Sequence, residues 1–250
     1  MRPEWLRLKS PVAIQNMNKV SGSVSRLTMA NNEQALTASE ENTPQESPMF
    51  PLGTVLLPGS VLPLHIFEDR YRQLAEFCTA NNSNFGVVLI ERGHEVGGGD
   101  TRSTVGCSAT IVNHERFPDG RWALVVLGTT RLRIEEWLAD APYPRARTTE
   151  LPEEMGGATM QRALQVLEKL ETFVQQAQQM GYQVASVDGD AVVAGLNVTE
   201  LSYRIAELTP VGPFDKQTLL MASTVATRID LIEEQIDGLS EILAAGGNKP

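Results

Sequence analysis

The chain is poor in the residues from which most catalytic and metal centres are assembled. It has two cysteines, Cys78 and Cys107, and three histidines, His65, His94 and His114, in 250 residues. Two cysteines make no disulfide framework, and neither sits at a metal-ligand spacing from the other or from a histidine. No metal and no other cofactor is expected, and both thiols are expected to be free. Basic side chains are also scarce: 21 Lys and Arg stand against 31 Asp and Glu, a formal net charge of −10. That balance argues against nucleic acid and against an anionic membrane, which both select clustered Lys and Arg. No apolar run reaches the ~18 residues of a membrane span, and the N-terminus lacks the continuous apolar stretch of a secretory signal. The expected setting is a reducing cytoplasm.

Motifs of catalysis are missing as well. Gly97-Gly98-Gly99-Asp100 is not continued by the lysine and hydroxyl residue of a phosphate loop, and no G-x-S-x-G elbow occurs. Asp188-Gly189-Asp190 lacks the further oxygen ligands of a calcium loop. The carboxylate pairs Glu68/Asp69, Glu135/Glu136 and Glu233/Glu234 are sequence neighbours, whose side chains point apart on a helix or strand. Cys107 lies within a strand pattern, where a thiol behaves as a small apolar core residue. The residues point to a chain without an active site.

What is present organises into three stretches. Residues 1–48 are rich in Ser, Thr, Asn and Gln, with five basic and five acidic side chains and no apolar period. Three readings stand open: a disordered tail, a start annotated too early with Met29 or Met49 as the true first residue, and an organellar transit segment. Residues 49–154 read as short strands: Thr54–Leu57, an extended 61–67 run broken by prolines, Phe85–Ile90, Val105–Val112, Trp122–Leu127, the alternating Arg131–Glu135 and Arg145–Thr149. Prolines in the 61–67 run suggest an edge strand or a loop passage rather than a central strand. In Arg131–Glu135, Leu132 and Ile134 are expected inside and the charges in water. One helix is inserted over 68–78, with Tyr71, Leu74, Ala75 and Cys78 on one face. Phe117-Pro118-Asp119-Gly120-Arg121 is a turn closing a hairpin.

Residues 155–250 switch to helical spacing. Ala163, Leu167, Leu170, Val174 and Ala177 form one stripe, and Asn197-Val198-Thr199-Glu200 is a capping box before Leu201, Ile205 and Leu208. A last helix is expected from Pro213 onward, with Val225, Ile229, Ile232, Ile236, Leu239 and Leu243 as its stripe, the longest of the three. Its length suggests an apolar remainder that the shorter helices leave uncovered. Residues 49–150 carry 10 basic and 12 acidic groups and 151–250 carry 6 and 14, so the acidity belongs to the helical half. The fold class is α+β, a small barrel followed by a helical bundle.

The run from Met49 to Tyr71, MFPLGTVLLPGSVLPLHIFEDRY, resembles the opening of the Lon N-terminal (substrate-binding) family. Phe85–Ile90, Val105–Ile111, Pro118-Asp119-Gly120 with Gly128–Ile134, and then Leu201–Ile205 with Lys216–Leu220 and Arg228, follow in the same order, so the likeness covers about residues 49–243. The resemblance implies a PUA-like pseudo-barrel with a helical bundle behind it. In full-length Lon proteases this region precedes an ATPase and a Ser–Lys protease domain and engages unfolded or tagged substrates. This sequence ends before either would begin, so the expectation is a non-catalytic peptide-recognition module, extending to an adaptor role in protein quality control, with polypeptides and a protease as partners. Candidate contact residues are Leu62, Leu64, Ile66 and Phe67 of the proline-rich stretch and Glu68, Asp69, Arg70 and Arg72 at the helix entrance. Two other readings are kept. A PUA-like RNA-binding protein requires Arg131, Arg133, Arg145 and Arg147 to converge, and a cryptic hydrolase requires His65, His94 or His114.

Overall fold

The computed structural model describes residues 43–92 and 101–246. The Gly97-Gly98-Gly99 stretch, His94 and the first 42 residues lie outside them. Six strands form one mixed sheet: β1 Gln45–Leu52, β2 Val61–Ile66, β3 Phe85–Arg92, β4 Thr101–Arg116, β5 Trp122–Leu138 and β6 Arg145–Glu150. Their order is β2-β5-β4-β3-β1-β6, and β5 also pairs with β6. Five strands therefore close into a barrel, and β2 is left outside the ring. Closure depends on the length of β5, which pairs with β2 through residues 122–127 and with β6 through 132–138. β1 divides likewise, with Gln45–Pro48 antiparallel to β6 and Met49–Leu52 parallel to β3.

Several sequence expectations are corrected here. The first strand starts at Gln45, inside the stretch assigned to the tail, because 45–48 complete the barrel against β6. Thr54–Leu57 is not a strand: Leu56 and Leu57 are buried in the core, and apolar run length does not distinguish that from pairing. Trp122–Leu127 and Arg131–Glu135 are one strand passing through Gly128, where the backbone carbonyl of Leu57 comes so close that a Cβ would collide with it. Arg131 is 2% exposed rather than solvated.

The inserted helix, α1 Asp69–Asn81, buries Tyr71, Leu74, Ala75 and Cys78 as its spacing requires, and Phe50 packs against Tyr71. Beyond the barrel come α2 Met160–Gln179, α3 Gly189–Val193, α4 Val198–Leu208, α5 Pro213–Met221 and α6 Val225–Ala244. The capping box forms, with Asn197 accepting from the Glu200 amide and Glu200 accepting from that of Asn197. The single final helix of the sequence reading is two helices, because Thr224 caps a new start by accepting from the Thr227 amide. Val225, Ile229, Ile232 and Ile236 are fully buried against α2, α4 and α5, so the long stripe is covered, while Ile242 is exposed beside it.

Helices and barrel share a polar seam. Gln217 of α5 donates to the Ser103 hydroxyl at 2.8 Å and the Val105 carbonyl at 2.9 Å on β4. Arg131 of β5 donates to the carbonyls of Ala222 at 2.7 Å and Leu220 at 3.1 Å, and Arg228 of α6 donates to Leu219 at 3.2 Å. Arg131 thus satisfies the last carbonyls at the end of α5, and Arg228 adds a second donor to the Leu219 carbonyl, which also accepts from the Ala222 amide; both cations face the negative end of the helix dipole. Glu153 joins them, lying 2.6 Å from Arg131 and 2.8 Å from Arg228, and it accepts a hydrogen bond from Tyr203.

Candidate functional site

Chemistry at the seam is closed off. Arg228 is fully buried, its remaining donors are taken by Ser202 and Tyr203, and its guanidinium stacks 3.7 Å from the Tyr203 ring centre. Burial raises the Tyr203 hydroxyl pKa well above the ordinary phenol value. The thiols are held neutral in the same way: burial pushes Cys107 up to about 12 and Cys78 to about 11, so neither supplies a thiolate at neutral pH. No group of three or more His, Cys, Asp or Glu able to hold a metal ion occurs among the described residues. In the helical half, Glu233 is bridged by Arg162 and Lys169, which hold its carboxyl below the usual carboxylate range. Those contacts lace α2 to α6.

The accessible surface feature is a three-stranded ribbon that leaves the barrel: β2, residues 122–127 of β5 and 110–116 of β4. Strand side chains alternate between faces. On the inner face the register sets Leu62 beside Val126 and Ile111, Leu64 beside Leu124 and His114, and Ile66 beside Trp122 and Arg116. Leu62, Leu64 and Ile111 are half-buried against the core that α1 completes. On the outer face the rows are Val61–Leu127–Thr110, Pro63–Val125–Asn113 and His65–Ala123–Glu115. Val61 is 44% exposed. Ala123, Val125 and Leu127 are half-buried and belong to none of the buried clusters. Phe67, 56% exposed, continues the alternation past the end of β2. Phe117 lies edge-on to His65 with ring centres 6.3 Å apart. The turn at this end is fixed by Asp119, which accepts from the Arg121 amide at 3.0 Å and side chain at 2.7 Å; those bonds lower its carboxyl pKa.

β2 is an edge strand, as its prolines suggested; among the described residues its strand partner is β5. Just before it, the Gly128 amide donates to the Ser60 carbonyl at 2.9 Å. The alternation that follows turns the backbone groups of Leu62, Leu64 and Ile66 toward β5 and those of Val61, Pro63 and His65 toward the free edge. The proline therefore falls at the one kind of position where a missing N–H breaks no ladder bond.

The residues singled out from sequence divide between the two faces. Ile66, 2% exposed, packs into the core, and Leu62 and Leu64 face the same way, because the register puts even-numbered positions inside; Phe67 is on the surface. Glu68 and Arg70 pair at 3.0 Å, Asp69 and Arg72 at 3.1 Å, and Arg70 also stacks on Tyr71. The outer-face residues Val61, Pro63, His65, Val125 and Leu127 are not among the sequence candidates; a period-two reading of the 61–67 run separates the first three from Leu62, Leu64 and Ile66. Of the four arginines needed for an RNA surface, Arg131 is in the seam, Arg145 pairs with Glu46 at 2.5 Å and Arg147 with Glu136 at 3.2 Å. Arg133 is exposed, so one of the four is left without an ion pair among the described residues, and the four do not converge on a shared basic face. His65 and His114 stand on opposite faces of the ribbon, too divided for a shared reaction centre, and His94 lies outside the described residues.

A family model for the ATP-dependent protease La (LON) substrate-binding domain matches residues 46–238. Among curated proteins, the chain is 26% identical over 208 residues to Lon protease 2 of Myxococcus xanthus, covering 82% of this chain and 25% of that protein. It is 25% identical to a LON peptidase N-terminal domain and RING finger protein of Schizosaccharomyces pombe, covering 77% of this chain and 46% of the relative. The chain thus spans about a quarter of the length of the Lon proteases it matches. In structure it is similar to the N-terminal domain of a Mycobacterium avium complex Lon protease, with a TM-score of 0.57 at 21% identity over 77% of this chain and 98% of that one. A Lon N-terminal domain protein from Xanthomonas campestris gives a TM-score of 0.53 at 23% identity, covering 74% and 95%. No described helix is long and apolar enough to cross a membrane.

Proposed function

The chain belongs to the Lon substrate-binding domain family, and from that premise we propose that it is a non-catalytic polypeptide-recognition module whose contact surface is the outer face of the β2–β5–β4 ribbon. The observation that carries this reading is the set Val61, Val125 and Leu127, apolar side chains in register on a face that belongs to no buried cluster, with Phe67 exposed just past the end of β2. Exposed contiguous apolar surface of this kind marks interaction sites. Phe67 at the strand end and the Glu68–Arg72 helix entrance, themselves paired in charge, form the rim. A face this small makes a transient interface, under ~1,200 Å² in all. Once ordering of the bound segment is subtracted, affinity in the micromolar range is expected. Handing captured segments to a protease, as an adaptor in protein quality control, is the role this reading extends to.

The test is fluorescence anisotropy of the full chain against a labelled, permanently unfolded polypeptide, with a folded protein and a short RNA as controls. The expected result is saturable micromolar binding to the unfolded chain only, weakened at least tenfold by Val125→Asp in a variant whose circular dichroism is unchanged. Binding to RNA alone, or binding indifferent to Val125→Asp, overturns the assignment.

A further inference from the structure

The outer face has dimensions that limit what covers it. Six residues of β2 at ~3.3 Å each, beside two further strands at ~4.8 Å spacing, give a face of roughly 20 by 10 Å. That is about a quarter of the ~800 Å² per partner on which a stable subunit interface rests, so a second copy of the chain is a poor occupant and one extended segment a good one. The free edge constrains how that segment is held. Strand addition to β2 needs donors from Val61, Pro63 and His65, and Pro63 has none. At the β2 edge the segment is therefore read by its side chains across the face rather than by backbone pairing.

Charge narrows the occupant further. Within the nine outer-face positions of the three rows, Glu115 is the only Asp, Glu, Lys or Arg. It is exposed and makes no ion pair with a described residue. The neighbouring arginines are engaged elsewhere: Arg116, on the opposite face, lies 3.5 Å from Glu76 and over the Trp122 ring, and Arg121 is held by Asp119 at 2.7 Å. We propose that the face selects an extended polypeptide segment of about six residues that combines apolar side chains with a lysine or arginine set against Glu115. This rests on the polypeptide-recognition reading above and specifies its substrate class.

The test uses the full chain and two labelled peptides with the same alternating valine and leucine positions, one with a central lysine and the other with a central glutamate. The lysine peptide is expected to bind roughly fivefold more tightly at low salt, the size of a single solvent-exposed charge pair. The difference should shrink at ~1 M salt, and Glu115→Lys should invert the order. Should both peptides bind alike in the parent chain and in Glu115→Lys, while the unfolded polypeptide still binds in a Val125-dependent way, the charge selection is wrong and the recognition face stands. Loss of all binding, unfolded polypeptide included, removes the recognition reading itself.

Discussion

At the scale of single residues, the most consequential side chains are two arginines that nothing in their local sequence marks as internal. Arg131 stands in an alternating strand whose charges read as solvent-facing, and Arg228 lies in the first turn of α6. Their partners are backbone carbonyls some 89 residues away in one case and a carboxylate 75 residues away in the other, separations across which sequence spacing carries no signal. Replacing Arg228 with methionine leaves Ser202, Tyr203 and part of Glu153 without their donor. Breaking one side of such a buried ionic group costs about 3–5 kcal/mol, and urea unfolding of Arg228→Met is expected to show a loss of that order; a change under 1 kcal/mol contradicts the seam as described. Cys107 was legible as a small core residue, and its burial has a pH consequence. A thiol whose folded pKa is raised to about 12 favours the folded state fully below the unfolded value near 8.5–9 and loses that contribution as pH rises toward 12. Cys78, raised to about 11, and Tyr203, raised by the same burial, act in the same direction. Stability is therefore expected to fall steeply above pH 9, by up to ~1.4 kcal/mol per pH unit for each group being deprotonated. Denaturant midpoints that stay flat from pH 8 to 11 run against this.

Among the elements, β2 shows how far periodicity reaches and where it stops. Its prolines mark an extended stretch that is an edge strand or a loop passage, and period two alone does not say which parity faces the core. Register against β5 decides it, and Leu62, Leu64 and Ile66 turn inward beside Val126, Leu124 and Trp122. The helices were easier, since caps leave local signatures: the Asn197–Glu200 box was plain in the sequence, whereas the restart at Thr224 was hidden because the apolar spacing resumes directly after it. Pro63 carries an element-scale prediction. Restoring its N–H by Pro63→Val completes a row of three edge donors, and exposed complete edges recruit other strands. Sedimentation velocity on Pro63→Val is expected to show concentration-dependent self-association absent from the parent. Sedimentation identical to the parent's at every concentration removes the edge-guarding role from this proline.

For the molecule as a whole, the order of elements and the match over residues 46–238 agree with a barrel followed by helices, the architecture legible in the change of period near residue 154. What the sequence did not disclose is that the two parts are held by polar groups reaching from β4 and β5 to α5, with Gln217 and Arg131 as the anchors. That seam occupies the side of the barrel toward the helices, and the ribbon's outer face belongs to none of the packed cores. The separation of a fixed seam from an open face is the basis of the functional account. Its most direct test is hydrogen–deuterium exchange of the full chain with and without a saturating unfolded polypeptide. Protection confined to residues 61–67, 110–117 and 122–127 is the predicted result, while protection centred on α5, where Phe214 and Met221 are also exposed, with the ribbon unchanged, would contradict it.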